Sequence, residues 1–500
     1  MYLAALSPGT DVDCRGTAFD GPLLTGLLDA LRDPATTHPR LGNADFQDTT
    51  FIADAGFANA TFTAEARFNG ATFSADAWFI DATFAGAARF DGAMFAGKAC
   101  FSGATFATMA RFPGATFDAD ALFIGTTFAT AGRLGPLACR GLLELSSAVF
   151  GAPMTVEAAA TSVRCVRTQW EATATLRLRY ATVVLSNMVV TQPMAVAAHP
   201  APFDFGGGAV GESGPTCDPG VRIASLRGVD AAHLVLTDTD LTGCVFTGAF
   251  HLDQLHLDGD TRFGAPPTGW RLRKGVPARL ARRRTIAEEH HWRALSPGEP
   301  PPPRGWTPGP DHPHTALTRG PEDIGPVYRA LRKASEDAKN EPDAADFYYG
   351  EMEMRRHDRK RPTGERALIT AYWLLSGYGL RATRALTWLL FAMTTTVLAM
   401  ILWGLPTSDP KPHTTGVLRP EQRVDLVTDN PGPVLTGAVH DRITAKRAEK
   451  ATRIVLNSVV FRSSGQNLTT AGAYIEMTSR LLEPALLALA VLAIRGRIKR

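Results

Sequence analysis

Hydrophobic positions in the first half of the chain follow a fixed spacing that phenylalanine sets. From Phe46 onward this residue returns in alternating steps of five and six, so the repeat unit is 11 residues long, as in residues 67–77. Glycine, threonine, aspartate, asparagine and alanine fill most positions between. The members of the series are Phe46, Phe51, Phe57, Phe62, Phe68, Phe73, Phe79, Phe84, Phe90, Phe95, Phe101, Phe106, Phe112, Phe117, Phe123 and Phe128.

An 11-residue period fits two kinds of structure. A right-handed coiled coil also repeats at eleven, because it has about 3.67 residues per turn. The residues between the phenylalanines decide against it, since they are poor helix formers that favour turns and short extended segments. No face of glutamate and lysine accompanies the phenylalanines either. The pattern therefore predicts a solenoid and not a helix.

In this solenoid each five- or six-residue unit forms one side of a coil, and its phenylalanine points to the axis. A small residue two positions earlier, usually alanine, leaves space beside the ring. Coils stack about one strand spacing apart, roughly 4.8 Å, so the rings form ladders and the backbone pairs between coils. Because only the two ends remain unpaired and an exposed end invites aggregation, caps are expected there.

Residues 1–40 are predicted to form a helical cap at the N-terminal end. Asp20 suits an N-cap position, and Gly21 and Pro22 suit the first turn. The leucines that follow have the spacing of one helix face. They are Leu23, Leu24, Leu27, Leu28 and Leu31.

The solenoid itself is predicted over residues 41–265. It is regular over 44–130 and degenerate over 131–200, where short runs rich in β-formers replace the phenylalanine spacing. A loop near residues 197–221 interrupts it, and a second regular block follows over 222–263. Five-residue steps mark that block at Leu226, Ala231, Leu236, Leu241 and Phe246.

In residues 44–128 the chain resembles the pentapeptide-repeat family, in which a central leucine or phenylalanine follows a small residue by two positions. The resemblance implies a mainly β fold, a right-handed quadrilateral β-helix. The regular six-residue steps depart from strict fives and leave the geometry of the corners open.

The remainder of the chain is predicted to be an α-helical C-terminal region with one or two transmembrane helices. A basic helical segment occupies 266–295, and a proline-rich linker over 296–320 marks a domain boundary. Residues 321–380 then form a helical hairpin and an interfacial helix. The hairpin is expected over 326–339 and 343–357, and the interfacial helix over 367–380.

Residues 385–405 carry no charge and are long enough to cross a hydrocarbon core of about 30 Å. An inter-helix loop over 406–470 separates them from a second hydrophobic segment at 471–494. Glu476, Arg480, Glu483 and Pro484 lie in that second segment, so a re-entrant or surface helix competes with a second span.

Charge and cysteine content indicate the cellular location of the protein and the redox state of its thiols. The net charge is +3, but residues 355–384 hold eight Lys or Arg against two acids, and the chain ends on four basic residues in six. The positive-inside rule then predicts that both flanks and the β-helix face the cytoplasm, although a basic patch at 446–453 counts against this. The six cysteines are far apart with no CxxC pair, which favours reduced thiols. Residues 1–11 show no basic region followed by an apolar run of signal-peptide length, so no signal peptide is predicted there.

Three sequence features are candidates for functional sites. Residues 206–211 match GxGxxG as a string, but Pro215 and Pro219 follow too soon for the helix that a dinucleotide site needs. Glu288 and His291 are one helical turn apart, but no third metal ligand is evident. Basic residues near the membrane segments are candidates for lipid contact. These are Arg271, Arg273, Lys274, Arg282, Arg283, Arg284, Arg355 and Arg356. No catalytic, cofactor-binding or metal-binding residue is predicted, and no cofactor.

The order of solenoid, basic segment, residues 347–356, residues 376–380 and closing hydrophobic pair also resembles a group of actinobacterial pentapeptide-repeat membrane proteins. Some of these are labelled membrane-associated oxidoreductases, so this resemblance implies one alternative function. Resemblance to the quinolone-resistance pentapeptide proteins implies another, a DNA mimic that binds a topoisomerase; residues 44–130 hold nine acids against four bases. The hypothesis favoured by the residues is a non-enzymatic scaffold at the cell membrane. Its partners would be membrane lipid and an unidentified protein, with nucleic acid disfavoured.

Overall fold

The computed structural model describes residues 6–204, 219–268, 270–273, 276–279, 282–297, 305–307, 320–407, 413–418, 424–429, 432–460 and 465–498. The chain forms two compact units, Met1–Met354 and Arg355–Arg500. The first unit contains a β-solenoid with α-helices at both of its ends. The second unit is mainly α-helical.

The solenoid begins at Val12, earlier than predicted. Strand β1 pairs in parallel with a strand of the next coil, Val12 opposite Ala44, and Phe19 of β2 pairs with Phe51. The helix expected at this end takes the place of one strand of the first coil. Its N-terminus is capped by the Asp20 carboxylate, which accepts a hydrogen bond from the backbone N–H of Leu23 at 2.9 Å. The elements are β1 (Val12–Asp13), β2 (Ala18–Phe19), α1 (Gly21–Ala30) and β3 (Arg40–Leu41).

The regular part consists of two-residue strands, each paired in parallel with the equivalent strand of the next coil, as Ala44 is with Ala66. Four strands separate equivalent positions, so each coil has four sides. The strands are β4 (Ala44–Asp45), β5 (Thr50–Phe51), β6 (Ala55–Gly56), β7 (Thr61–Phe62), β8 (Ala66–Arg67), β9 (Thr72–Phe73), β10 (Ala77–Trp78), β11 (Thr83–Phe84), β12 (Ala88–Arg89), β13 (Met94–Phe95), β14 (Ala99–Cys100), β15 (Thr105–Phe106), β16 (Ala110–Arg111), β17 (Thr116–Phe117), β18 (Ala121–Leu122) and β19 (Thr127–Phe128).

The alternation of five and six residues gives two kinds of corner. In each five-residue step the second residue after phenylalanine has a positive φ, for example +57° at Asn59. The six-residue steps have no such residue and use the extra position to turn. Glycine, asparagine and aspartate tolerate positive φ best, which explains their recurrence there. The residues with positive φ are Asp48, Asn59, Gly70, Asp81, Gly92, Gly103, Gly114 and Gly125.

The phenylalanines fill the interior of the solenoid as predicted. Rings one coil apart lie parallel, as in Phe62 and Phe84, whose centroids are 4.8 Å apart. Rings on opposite sides of the solenoid meet edge to face, as in Phe57 and Phe68 at 5.6 Å. All sixteen side chains of the series are buried, with at most 2% of their surface exposed.

Beyond Phe128 the coil becomes shorter by two residues. Gly132 pairs with Met154, but Val149 pairs with Gln169, and the register shifts lie between β20 and β22. The inner ladder continues with mixed apolar residues. The strands are β20 (Gly132–Glu144), β21 (Val149–Phe150), β22 (Met154–Arg164), β23 (Gln169–Trp170), β24 (Ala174–Arg179), β25 (Thr182–Val184), β26 (Val189–Val190), β27 (Met194–Ala198), β28 (Val221–Ser225), β29 (Leu234–Thr237), β30 (Thr239–Asp240) and β31 (His256–Asp258).

The segment after the solenoid differs from its prediction. Residues 270–273 and 276–279 pair as antiparallel strands where a basic helix was predicted, and Pro277 lacks the N–H that a helix interior needs. Residues Ala287–Ala294 of the same segment are helical. The proline-rich stretch does not separate the compact units either, because the first unit extends to Met354. The elements are β32 (Trp270–Arg273), β33 (Val276–Arg279), α2 (Ala287–Ala294), α3 (Pro321–Asp337) and α4 (Glu341–His357). Helices α3 and α4 occupy the region of the predicted hairpin, and α3 starts before Pro326.

The second unit contains the two hydrophobic segments as helices that are long and apolar enough to cross a membrane, Ala382–Gly404 and Thr470–Arg495. The inter-helix region is more structured than a loop. The elements are α5 (Thr363–Ser376), α6 (Ala382–Ala399), a π-helical turn (Met400–Gly404), β34 (His413–Leu418), β35 (Val424–Asp429), α7 (Ala445–Val459) and α8 (Thr470–Ile498). Helices α6 and α8 pack together, and Gly404 approaches Gly472 closely.

The C-terminal end of α6 is closed by side chains from the region that follows it. Arg447 donates hydrogen bonds to the carbonyl oxygens of Ile401, Leu405 and Pro406, each at 2.8 Å. Arg442 donates to the carbonyl of Leu402 at 3.0 Å. The last carbonyls of a helix lack donors within the helix and carry partial negative charge, so two arginines are well suited to this position.

Candidate functional site

The outer surface of the solenoid has four sides that differ in chemistry. In the coil that starts at Ala44, the first side is β4, the second is β5, the third is β6 and the fourth is β7. Outward residues on each side recur once per coil and stack into rows. Threonine dominates the rows of the second and fourth sides, as at Thr72 and Thr83. Charged residues recur on the first and third sides, and Met94 is the outward residue of one coil on the second side.

On the first side, opposite charges are paired. Arg67, Arg89 and Arg111 stack in one row. The Arg89 guanidinium lies 2.7 Å from the carboxylate of Glu65, and that of Arg111 lies 2.9 Å from the carboxylate of Asp91. Because these carboxylates have a neighbouring arginine, this side does not present an uncompensated acidic surface.

The third side carries an apolar row beside a corner row in which Ser102 lies between Ile80 and Ile124. Trp78 pairs with Cys100, which pairs with Leu122, so the three side chains stack outward. Ile80 and Ile124 occupy the corner beside this row, and Ile124 is 42% exposed. Gly56, below Trp78, leaves open space at the start of the row.

A row of three aspartates and one lysine, Lys98, follows the other edge of the third side. The Asp54 carboxylate accepts a hydrogen bond from the backbone N–H of Asp76 at 3.2 Å, and Asp76 accepts one from that of Lys98 at 2.8 Å. Asp120 accepts from Leu142 in the same way, at 2.9 Å. Within the described part of the chain these three aspartates form no ion pair. We call residues Asp54, Asp76, Trp78, Ile80, Asp120, Leu122 and Ile124 the third face.

The C-terminal end of the solenoid is closed by a buried carboxylate. Glu288 of α2 accepts hydrogen bonds from the backbone N–H groups of Phe246 and Thr247, at 2.6 and 2.7 Å, and from the Thr247 hydroxyl at 2.9 Å. These donors would otherwise lack acceptors at the last coil. Burial raises the pKa of Glu288, although its three donors act in the opposite direction.

Next to Glu288 lies a buried ionic cluster of Arg283, Glu289, Arg293, Tyr328 and Glu353. Arg283 and Arg293 each approach the Glu289 carboxylate to 2.6 Å, and the Tyr328 hydroxyl donates to it as well. Arg293 also reaches Glu353 at 3.0 Å. Burial by itself would raise the pKa of Glu289, but the two guanidinium groups outweigh it and hold the pKa well below its usual range. The cluster joins α2, α3 and α4 into one lid over the last coil.

A cleft of about 630 Å³ lies on the degenerate coils, beside Tyr180 and His199. Two arginines of its lining pair with aspartates. Arg222 lies 3.4 Å from Asp240, and Arg262 lies 3.6 Å from Asp260. A third aspartate of the lining, Asp238, accepts a hydrogen bond from the backbone N–H of Asp260 at 2.8 Å.

The comparison with protein families agrees with the coil geometry. A model described as pentapeptide repeats (9 copies) matches residues 38–83, a part in which four-sided coils are stacked on phenylalanine. The chain is a pentapeptide-repeat protein. No curated protein and no solved structure matches it.

Two of the lipid-contact candidates in this pentapeptide-repeat protein are buried in ion pairs or rings. Arg283 has 4% of its side chain exposed and is held by Glu289, so lipid contact is the wrong prediction for it. Arg356 is 9% exposed and stacks 4.2 Å from the Trp373 ring centroid, which makes it equally unsuited. Arg284 is half-buried and pairs with Asp343 at 2.7 Å.

The other lipid-contact candidates keep their status as predictions. Arg271 and Arg273 lie on β32, Arg282 is exposed, Arg355 is half-buried, and Lys274 lies outside the described residues. The glycine-rich string at 206–211 also lies outside them. Glu288 of the metal hypothesis serves the solenoid end, and no group of three or more metal-ligating side chains is found among the described residues.

Sequence reasoning misses the third face because it takes the repeat at a period of 11. At that period successive outward residues fall on opposite sides of the coil. Reading the sequence one whole coil at a time places Gly56, Trp78, Cys100 and Leu122 in one row and separates this row from the arginine row. The sequence contains this row, but the row can be recognised only when the number of residues per coil is known.

Proposed function

We propose that this protein is a non-enzymatic, membrane-anchored scaffold that holds a protein partner on the third face of its solenoid. The observation that carries the proposal is the juxtaposition of two rows. One is a stacked apolar row, and the other holds Asp54, Asp76 and Asp120 with one lysine, Lys98, so that acids outnumber bases in it. Both ends of the solenoid are closed, by α1 at one end and by α2, α3 and α4 at the other. Binding to the solenoid would therefore occur along its sides.

Two features of the third face define the partner. The aspartates favour a segment with lysine or arginine, because complementary charge steers association and fixes register. Trp78 and Leu122 favour apolar side chains on the same segment, and tryptophan is among the residues that contribute most to interface affinity. The partner is therefore a protein segment that combines basic and apolar side chains. The arginines that pair with the acids of the first side count against a DNA mimic.

The anchor is argued from the helices of the second unit. Only 22% of the apolar window in Ala382–Gly404 and 33% of that in Thr470–Arg495 are buried. A core helix of a soluble protein would be mostly buried, so the exposed apolar surface fits contact with lipid. Leu390, Phe391 and Leu481 are among the exposed side chains, with 67%, 62% and 76% of their surface accessible.

The basic residues that flank the hydrophobic helices support a cytoplasmic placement of the solenoid. The structural role of Arg442 and Arg447 supports it as well. The patch at 446–453 counts against this orientation. Arg447 of that patch, together with nearby Arg442, hydrogen-bonds the carbonyl end of α6. A structural role of this kind explains a basic residue on the outer side without a cytoplasmic location.

Membrane extraction tests the anchor. The full chain should remain with the membrane fraction in high salt and in alkaline carbonate, and should be released by detergent, because its apolar helices contact lipid directly. Release by high salt alone would contradict the anchor and would indicate binding through surface charge. A known peripheral protein of the same cells serves as the control for each wash.

Site-specific crosslinking tests the third face. A photo-crosslinking residue at Gly56, where an added Cβ atom meets no atom within 4 Å, should give an adduct with a basic segment of one partner. Trp78→Ala in the same chain should lower the adduct yield roughly tenfold or more, since truncation of a central tryptophan costs about 2 kcal/mol or more. Adducts are to be identified by mass spectrometry of the joined peptides.

The matched control is Met94, which is 50% exposed on the second side. The crosslinker at this position should give no such adduct, and Met94→Ala should leave the yield from position 56 unchanged. Equal adducts from both positions, or a yield that ignores Trp78→Ala and Asp76→Lys, would rule out the third face as the binding surface.

A further inference from the structure

One carboxyl group lies buried in the middle of the α6–α8 helix pair. Glu483 is near the centre of the span Thr470–Arg495, its residue is 0% exposed, and neither carboxyl oxygen has a hydrogen-bond partner among the described residues. Buried polar groups in proteins are almost always hydrogen-bonded, so an exception calls for an explanation. Ionisable side chains at this depth in a membrane are rare and usually functional.

The neighbouring hydroxyl identifies the form of the acid that fits. Thr396 of α6 lies near Glu483. Its single O–H donates to the carbonyl oxygen of Ala392 at 2.9 Å, and no hydrogen bond joins it to the carboxyl group. The Thr396 oxygen is then left as an acceptor. An ionised carboxylate can only accept, whereas a protonated carboxyl has one O–H to donate. The site is thus complementary to the protonated acid.

The charged groups on the surrounding elements do not supply a counter-ion at the same depth. Helix α6 has no charged residue from Ala385 to Gly404. On α8 the nearest charged residues are Arg480 and Glu476, one and two turns toward its N-terminal end. The charged residues on the other helices that pack against α8 or α6 are Glu365 and Arg366 of α5, and Lys446, Arg447, Glu449, Lys450 and Arg453 of α7. Arg447 is bound to the end of α6.

We propose that Glu483 is a proton-binding site inside the membrane-spanning helix pair. The inference rests on the proposed membrane anchor, because it needs α6 and α8 to lie in lipid. A proton is the ligand that this site fits, since one carboxyl and one hydroxyl provide too few oxygens for a metal cation. Uptake converts the carboxylate to a neutral carboxyl that can donate to Thr396, and release places a charge between the helices.

Release of the proton has a mechanical consequence at the same depth. Pro484 follows the acid directly and has no N–H to donate, so the hydrogen-bond ladder of α8 is interrupted one residue after the carboxyl. Helices bend most readily at such positions. The proton therefore binds where α8 bends most readily. Loss of the proton separates the two helices or lets water enter between them.

A hydrophobic carbodiimide tests the site, since it enters lipid and reacts with protonated carboxyls. In the full chain reconstituted into phosphatidylcholine vesicles, N,N′-dicyclohexylcarbodiimide should modify Glu483, as read by mass spectrometry of the peptides. The labelling is to be measured between about pH 6 and about pH 10. Above the pH at which the carboxyl loses its proton, the labelling should fall about tenfold per pH unit. A water-soluble carbodiimide should instead modify exposed Glu449, whose side chain is 73% accessible.

Two variants and one spectrum decide the outcome. Glu483→Gln should abolish the label, and Glu449→Gln should leave it unchanged. Infrared spectra of the wild type should show the band of a protonated carboxyl that disappears at the same pH as the labelling, which does not depend on the folding of a variant. Absence of both signals in a chain that resists carbonate extraction overturns the proton site and leaves the anchor intact. Release of the chain by salt overturns the anchor itself.

Discussion

Phe90→Ala is expected to destabilise the solenoid by about 3–5 kcal/mol, the cost of removing a fully buried phenylalanine. The Phe90 ring is 0% exposed and lies parallel to Phe68 and Phe112, with centroids 4.9 and 4.8 Å away. It also meets Phe79 and Phe101 edge to face, at 5.6 and 5.4 Å. Removing the ring would break these four contacts and two more, with Phe84 and Phe95 at 6.1 and 6.3 Å. The two-residue strands beside the cavity have few other contacts with which to compensate.

Two substitutions in the same region separate loss of the ring from loss of hydrophobic volume and from a change of surface. Phe90→Leu keeps most of the volume and should cost under about 1.5 kcal/mol. Met94→Ala, at a side chain that is 50% exposed, should stay within about 0.5 kcal/mol of the wild type. Urea unfolding of the full chain in detergent, followed by circular dichroism, gives the three free energies of unfolding.

Hydrogen exchange adds a spatial test of the same variant. Coils of a solenoid contact only their neighbours, so weakening one coil should lower protection most in residues 68–112 and little near Trp170. If Phe90→Ala and Met94→Ala unfold at the same urea concentration, the ladder is not the source of stability that its geometry indicates.

The regular coils could be predicted because each inward ring is dictated by its own short repeat. Contacts in this part occur at a constant separation along the sequence, since every residue contacts the residue one coil away. The first coil escaped prediction because α1 replaces a strand, so Val12 and Phe19 do not follow the phenylalanine spacing. The corners required coordinates, because positive φ at residues such as Asn59 distinguishes the two kinds of step.

The basic segment shows the limit of reading charge from sequence. A run of arginines indicates a solvated surface or an anionic partner, yet Arg283 is enclosed by Glu289 and Tyr328. Its partners come from two helices, of which α3 is distant in sequence. Only the packing of α2 and α3 on the last coil brings them together, and no local pattern reports such packing. The same holds for Glu288, whose role as an acceptor depends on where the coils end.

The buried ionic cluster yields the second large effect. Arg283→Met removes the closest cation from Glu289, a carboxylate with 0% exposure, and should destabilise the first unit by about 3–5 kcal/mol. The penalty arises because the buried carboxylates of Glu289 and Glu353 are left with one cation, Arg293, between them. The matched control is Arg15→Met. Arg15 lies 2.6 Å from Asp13, but their side chains are 60% and 58% exposed, so water screens the pair and little change in the free energy of unfolding is expected.

The pH dependence of unfolding distinguishes ionic pairing from simple packing. The folded-state pKa of Glu289 is held well below its ordinary value of 4.5. A carboxyl of this kind stabilises the fold fully above its unfolded pKa, and the contribution disappears as the pH falls toward the folded value. The free energy of unfolding of the wild type should therefore decline below about pH 4.5 more steeply than that of Arg283→Met. In hydrogen exchange, the variant should lose protection first near Phe246, because the lid over the last coil depends on this cluster. Parallel pH profiles for the two proteins would mean that Arg283 acts through packing alone.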